Sequence, residues 1–424
     1  MSIIAACLGA WSVGVYLFYL LAGRLLGPEE YGLAAALQSV IVVTSLPLTA
    51  LQWSSARMVA SAPSGDPQVA AVYRRAVVLA TGASAGLATV ATAVTVIAAE
   101  ASPIPAGALV VTYWSIVPIV PVLLAMGALQ GAHRYGGFAW TYGVTGVLRP
   151  PFLLGLLALP LLTQVESTMA ATGIPAAVGA VVGLWLTRDM LRGRARPSRA
   201  AWRAFGSGIG VTAVGLAGIA VLTNVDVIAA KLNIGGREAG YFSAAAIIAK
   251  ALMLVPTVLI TVLLPRVAER RAHGKETGSL LAIGVLLMAV AGVVAVVLAI
   301  PLGGPITAIT FGSAYDPAAS LVLPFFAATT LLGALLILVN HHVARGDNRF
   351  SWVIGVLALI QIALLAVWGD SAGRIIAIDA IAAAVGLVAH EAIYFRTDES
   401  MLRGTGKQAR QVMRRGGDRG EGAV

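Results

Sequence analysis

Charge is what this chain of 424 residues lacks most: Asp, Glu, Lys and Arg make up only 11% of it. Soluble domains carry roughly 25%, so these residues cannot clothe a water-facing surface. The one cysteine, Cys7, excludes an intramolecular disulfide framework and a thiolate metal centre. No glycine-rich phosphate loop with its lysine is present, and His390-Glu391 lacks the second histidine that a zinc protease requires. The loops between apolar runs are too short to hold clustered catalytic carboxylates. Neither an enzyme nor a bound cofactor is expected, and ATP hydrolysis in this chain is excluded.

What fills the chain is apolar: 58% hydrophobic residues and a mean hydropathy of +0.88. Runs of about 20 such residues are long enough to cross a bilayer as helices. The sequence predicts spans at 2–23, 31–56, 76–99, 106–129, 139–162 and 166–187. A second group follows at 205–227, 240–264, 279–301, 318–340, 351–369 and 374–395. Only Met1 and Ser2 precede the first run, which reads as a retained helix rather than a cleavable signal. The expected fold is an all-α integral membrane protein of about twelve transmembrane helices.

The net charge of +10 does not point to nucleic acid, because the basic residues are scattered through short loops and a tail. Loops after even-numbered spans, with the C-terminal tail, hold 23 Lys and Arg residues. The opposite loops hold four: Arg24, Lys231, Arg237 and Arg374. By the positive-inside rule both termini are expected on the cytoplasmic side. Six arginines and Pro197 lie between Thr187 and Arg203 and mark a hinge. The predicted division is a first lobe over 1–200, a second over 201–396, and a flexible basic cytoplasmic tail over 397–424, suited to anionic lipid headgroups.

An internal repeat supports two six-helix lobes. Arg24-Leu-Leu-Gly-Pro-Glu-Glu-Tyr-Gly32 is followed by Pro47 and Arg57; Lys231-Leu-Asn-Ile-Gly-Gly-Arg-Glu-Ala-Gly240 is followed by Pro256 and Arg266. Glycine to proline is 15 residues in the first case and 16 in the second, and proline to arginine is 10 in both. His133-Arg134-Tyr135 and Asn348-Arg349-Phe350 give a fainter echo. An even number of spans per half gives both halves one orientation, related by an axis along the membrane normal, with a cavity between them.

The segment Arg24 to Leu33 resembles the opening signature of the polysaccharide-biosynthesis (Wzx-type) flippases. Asn224-Val-Asp-Val-Ile through Glu238-Ala-Gly-Tyr-Phe-Ser-Ala-Ala-Ala, then Leu264-Pro-Arg, is similar to that family's second-half signature. The likeness covers most of 20–60 and 220–270, and the span count extends it along the chain. It points to the superfamily shared with MATE antiporters and lipid II flippases. The resemblance implies a bacterial plasma-membrane transporter that moves an undecaprenyl-pyrophosphate-linked oligosaccharide by alternating access. A glycan polymerase and glycosyltransferases are its implied partners.

Two cations fall at mid-depth, Arg149 in span five and Lys250 in span eight. Such charges cost at least about 2.5 kcal/mol on insertion scales and must face protein or water. A diphosphate would give each a partner, with arginine binding in bidentate fashion; the alternative is a long side chain reaching to the interface. Arg24 and Lys231 match at one end of spans one and seven, Arg57 and Arg266 at the other end of spans two and eight. They are candidates for a shared substrate site or, equally, interfacial anchors. Asp226, beside Asn224, and Asp379 are candidates for ion coupling, or for structural pairing with Lys231 and Arg374 respectively. His133, His341, His342 and His390 gather at predicted inner span ends, as interfacial histidines commonly do.

The readings compete as flippase, as ion-coupled MATE-type drug or metabolite antiporter, and as membrane-embedded glycosyltransferase. Short outer loops argue against the third. Gly82/Gly86, Gly179/Gly183 and Gly206/Gly210 have the spacing of close helix packing. Pro47, Pro118, Pro121, Pro150, Pro151 and Pro256 are expected to kink their helices.

Overall fold

The computed structural model describes residues 2–63, 65–101, 104–192, 195–260, 278–345, 348–397 and 400. The first helical run, Ser2–Ser61, breaks at Gly27 (φ 75°, ψ 170°) into α1 (2–26) and α2 (28–61). Only glycine adopts that backbone without strain, and Pro28 then opens α2 at a position where its missing N–H costs nothing. Next come α3 (Pro67–Ile97), capped by the Asp66 carboxylate on the Gln68 N–H at 2.8 Å, and α4 (Ala106–Gly131), interrupted beside Pro118. α5 comprises Tyr135–Val147 and Arg149–Leu157. Pro150 and Pro151 deprive it of two backbone donors at the joint. α6 (Gln164–Leu186) opens with a capping box between Thr163 and Glu166.

Short helices Arg188–Leu191 and Arg199–Gly206 link the lobes. The second lobe contains α7 (Ile209–Asn233), α8 (Gly236–Ile260), α9 (Gly278–Phe311), α10 (Ala319–Arg345), α11 (Asn348–Trp368) and α12 (Ala372–Tyr394). Ten helices have the length and hydropathy to cross a membrane. Gly27 divides the first of them, and the two-part α5 adds another, which makes twelve among the described residues. The architecture is the all-α, two-lobed one expected.

Three local expectations change. α9 runs to Phe311, ten residues beyond its predicted end, because Pro301 and Pro305 are carried inside the helix. α7 starts at Ile209 rather than 205: Gly206 closes the preceding short helix, and Gly208 (φ 82°) turns the chain. Of the three small-residue pairs only Gly179 and Gly183 pack closely, where a methyl group would sit 2.6 Å from Thr145 and 2.8 Å from Ala125. The other two pairs face open space.

The repeat has a structural counterpart. Gly235 (φ 67°, ψ −172°) joins α7 to α8 with nearly the backbone of Gly27. The two elbows meet. A Cβ on Gly240 would lie 1.8 Å from the Pro28 carbonyl oxygen, so no larger residue fits there.

The cores differ at the two ends of the molecule. Toward the elbows one continuous core joins both lobes, taking Phe18, Tyr31 and Leu37 from α1 and α2, Met169 from α6, Phe242 and Ala245 from α8, and Phe325 from α10. Toward the end that carries the chain termini the cores separate. Val72, Tyr73, Leu124 and Phe205 form one for the first lobe. Leu222, Met288, Leu335, Phe350 and Ile354 form one for the second. The molecule is therefore plugged at its elbow end.

Candidate functional site

Where the shared core stops, a belt of polar side chains begins. On α8 the core's last member is Ala249, and Lys250 follows. On α7 it starts at Val227, directly after Asp226; on α12 Ile378 belongs to it, directly before Asp379. Gln361 lies between Leu365 of the shared core and Leu357 of the second lobe's own core. On α5, Arg149 is one turn below Leu153. Polar groups thus occupy the floor of the plug in both lobes.

In the second lobe the Lys250 ammonium donates to both carboxylate oxygens of Asp226, each at 3.0 Å. Asp226 is 2% exposed and Lys250 15%. Its third hydrogen has no partner among the described residues. Gln361 Nε2 donates to Asp379 Oδ1 at 2.7 Å, while its Oε1 is buried with no partner among the described residues. Asp379 lies within electrostatic reach of both Asp226 and Lys250. Asn224 turns its amide to its own helix, onto Ala220 O and Thr223 Oγ1. Of the two buried carboxylates, Asp226 holds the ammonium and Asp379 holds an amide.

In the first lobe Arg149 is half-buried, and Nε donates to Thr145 O at 3.1 Å. Its guanidinium carbon lies 5.8 Å from the centre of the Phe18 ring, and Tyr19 and Tyr142 are within electrostatic reach. Its two Nη groups bond to no described residue. Also in the first lobe, Gln38 Nε2 donates to Thr172 Oγ1 at 2.6 Å, both buried.

The other sequence candidates are dispersed. Arg24 donates from Nε to Thr310 O at 2.9 Å and from Nη2 to Ile309 O, capping the free carbonyls at the end of α9. Tyr315 reinforces this tie between lobes by donating to Gly23 O at 2.8 Å. Tyr31, Phe311, Tyr315 and Tyr241 pack around it, with ring centres 5.2–6.2 Å apart. Lys231 is half-buried at the end of α7 and pairs with no described carboxylate. Arg57 is exposed, donates to Ser54 Oγ at 3.1 Å, and lines a cavity of about 440 Å³ with Asp66, Gln68, Phe205 and Ser207 at the terminal end. Arg266 lies outside the described residues.

The expected pairings are corrected. Asp226 takes Lys250 rather than Lys231, because one helical face presents Asp226 across to α8 while Lys231 ends the helix. Asp379 takes the Gln361 amide; Arg374 instead pairs with Asp370, one turn back and exposed. His342 and His390 are buried with Nε2 atoms 2.9 Å apart, His342 stacked on Tyr394 and His390 tilted against it in the second lobe, and His133 stands elsewhere beside Tyr135. Sequence reasoning passed over Gln361, Gln38 and Tyr315. The two glutamines were visible as lone amides inside apolar runs; nothing marked Tyr315.

Twelve helices among the described residues, in two lobes joined at paired glycine elbows and separated below a polar belt, make a two-lobed all-α membrane fold. The structure of a lipid II flippase MurJ in an inward closed conformation is similar, with a TM-score of 0.69 over 91% of this chain and 86% of that one, at 11% identity. An inward-facing MATE-family multidrug transporter of the MOP superfamily gives 0.65 over 89% and 92%, at 15% identity. The eukaryotic MATE transporter AtDTX14 gives 0.60 over 95% and 96%, at 14% identity. No family model matches the sequence, and no curated protein matches it. The likeness is one of fold.

Proposed function

We propose that this protein is a transporter that carries a lipid-linked anionic substrate across the plasma membrane by alternating access. The substrate in this reading is an undecaprenyl-pyrophosphate-linked oligosaccharide. One observation carries it: a single core seals the lobes at the elbow end, the cores part at the other, and cations from both lobes lie at the boundary. The Nη groups of Arg149 at that boundary, without a partner among the described residues, suit a diphosphate, which replaces the water they would otherwise need. Arg149 and Lys250 bind the headgroup, Arg57 receives it at the terminal end, with Arg266, its counterpart in the sequence repeat, sharing that role, and Arg24 and Lys231 meet it after the elbows open. With both termini cytoplasmic, the cleft opens toward the leaflet where lipid-linked sugars are assembled, beside glycosyltransferases and ahead of a polymerase.

Asp226 and Asp379 serve as the ion-coupling pair, since they hold two carboxylates against one ammonium. The same surplus of buried acid favours a second reading, an ion-coupled MATE-type antiporter for a drug or metabolite. Reconstitution separates them. Proteoliposomes should translocate a fluorescent lipid-linked diphosphate, and Arg149→Gln or Lys250→Gln should each lower the rate at least about tenfold, the worth of one charged hydrogen bond. Translocation of an organic cation down an ion gradient, with the diphosphate left in place, would establish the antiporter.

A further inference from the structure

Resting on that reading, we infer that Lys250 is an exchangeable counterion: it moves from Asp226 to the anionic headgroup, and the vacated Asp226 then takes up one monovalent cation. The group recognised is a phosphate or diphosphate. The cation is a proton or sodium.

The geometry supplies each part. Each oxygen of Asp226 accepts from Lys250, and Asp226 is only 2% exposed, so in this arrangement the ammonium neutralises the carboxylate and shields it from another cation. Lys250 retains one hydrogen without a partner among the described residues and 15% of its surface, at the floor of the plug where an entering anion arrives. Asp379 and the unpaired Oε1 of Gln361 lie beside the pair and hold acceptor capacity without a cation of their own. Arg149, the other cation at this depth, belongs to the first lobe and lies over the Phe18 ring. Among the described residues, the charges facing Asp226 are Lys250 from α8 and Asp379 from α12, and α11 adds the uncharged amide of Gln361. The α1 and α2 segments packed on α7 and α8 carry no Asp, Glu, Lys or Arg from 2 to 23 or from 31 to 56, and α10 carries none from 319 to 344.

When an anion draws Lys250 away, Asp226 is left buried and bare, which is costly unless a cation replaces the ammonium. The anion and the cation therefore favour each other's binding, and by linkage the effect is reciprocal. A flexible lysine stem allows the transfer, which a rigid guanidinium fork would resist.

The test uses the full chain in lipid nanodiscs. Binding of inorganic pyrophosphate and of farnesyl diphosphate is titrated by calorimetry at graded sodium, with constant ionic strength, and separately at graded pH. Wild-type affinity should rise about ten- to hundredfold as one of the two cations is raised. Asp226→Asn should bind as tightly without it, and Lys250→Gln should lose binding. Binding of farnesyl diphosphate alone supports the exchange with a lipid headgroup as its source; binding of both supports it with the bare diphosphate sufficient. Wild-type affinity that ignores both sodium and pH overturns the exchange alone, even if Asp226→Asn fails to fold. No binding of either probe by any form overturns the anionic-substrate reading and the exchange with it.

Discussion

Lys250 and Asp226 are 24 residues apart in sequence, and neither would be tolerable at this depth without the other. A buried pair broken from one side leaves a bare charge, at a cost of roughly 3–5 kcal/mol. Lys250→Met should therefore lower the thermal unfolding temperature clearly, and Lys250→Met with Asp226→Leu should recover most of the loss. An equal loss in the single and double variants would show that the pair is not what holds α7 to α8. Asp379 rests on a neutral amide rather than a cation, so Gln361→Leu should cost less than the loss of Lys250, measured in the same melt. The sequence showed each of these residues as a polar atom in an apolar run. It could not show which would meet, because helical periodicity fixes a side chain's face but not the helix opposite.

Two elbows act as one element. Gly27 and Gly235 share a backbone that branched residues cannot enter, and Gly240 presses against Pro28 with no room for a methyl group. Gly240→Val should force the elbows apart. Spin labels at the exposed Glu30 and Arg237, on a Cys7→Ser background, should then report a longer separation by pulsed electron resonance; an unchanged distance would mean the elbows yield elsewhere. Arg24 belongs to the same element. Its sequence position suggested a substrate ligand, yet in this closed form it caps α9 and ties the lobes with Tyr315. Arg24→Gln should loosen elbow closure in the same experiment, by less than Gly240→Val, since hydrogen bonds to exposed carbonyls are each worth only about 1–3 kcal/mol.

At the scale of the molecule, sidedness rests on 23 basic residues against four. Alkaline phosphatase fused after residue 160 or 370 should be active, and fused after residue 192 or 396 inactive, with fluorescent protein fusions giving the reverse pattern. The opposite result would invert the leaflet from which the cleft fills and with it the direction of the proposed transport. The tail beyond residue 400 and the segment 261–277, which holds Arg266, lie outside the described residues.

The sequence alone determined the class: scarce charge and long apolar runs leave only membrane helices, their number follows from their length, and spaced glycines disclose the repeat. These are local properties, set by each segment's own transfer energy and backbone freedom. Tertiary structure decided the partners: that Asp226 meets Lys250 and not Lys231, that Arg24 ties the lobes, and that the cores fuse at one end only. Those outcomes depend on how helices far apart in the chain are brought face to face, and no single stretch of residues encodes that.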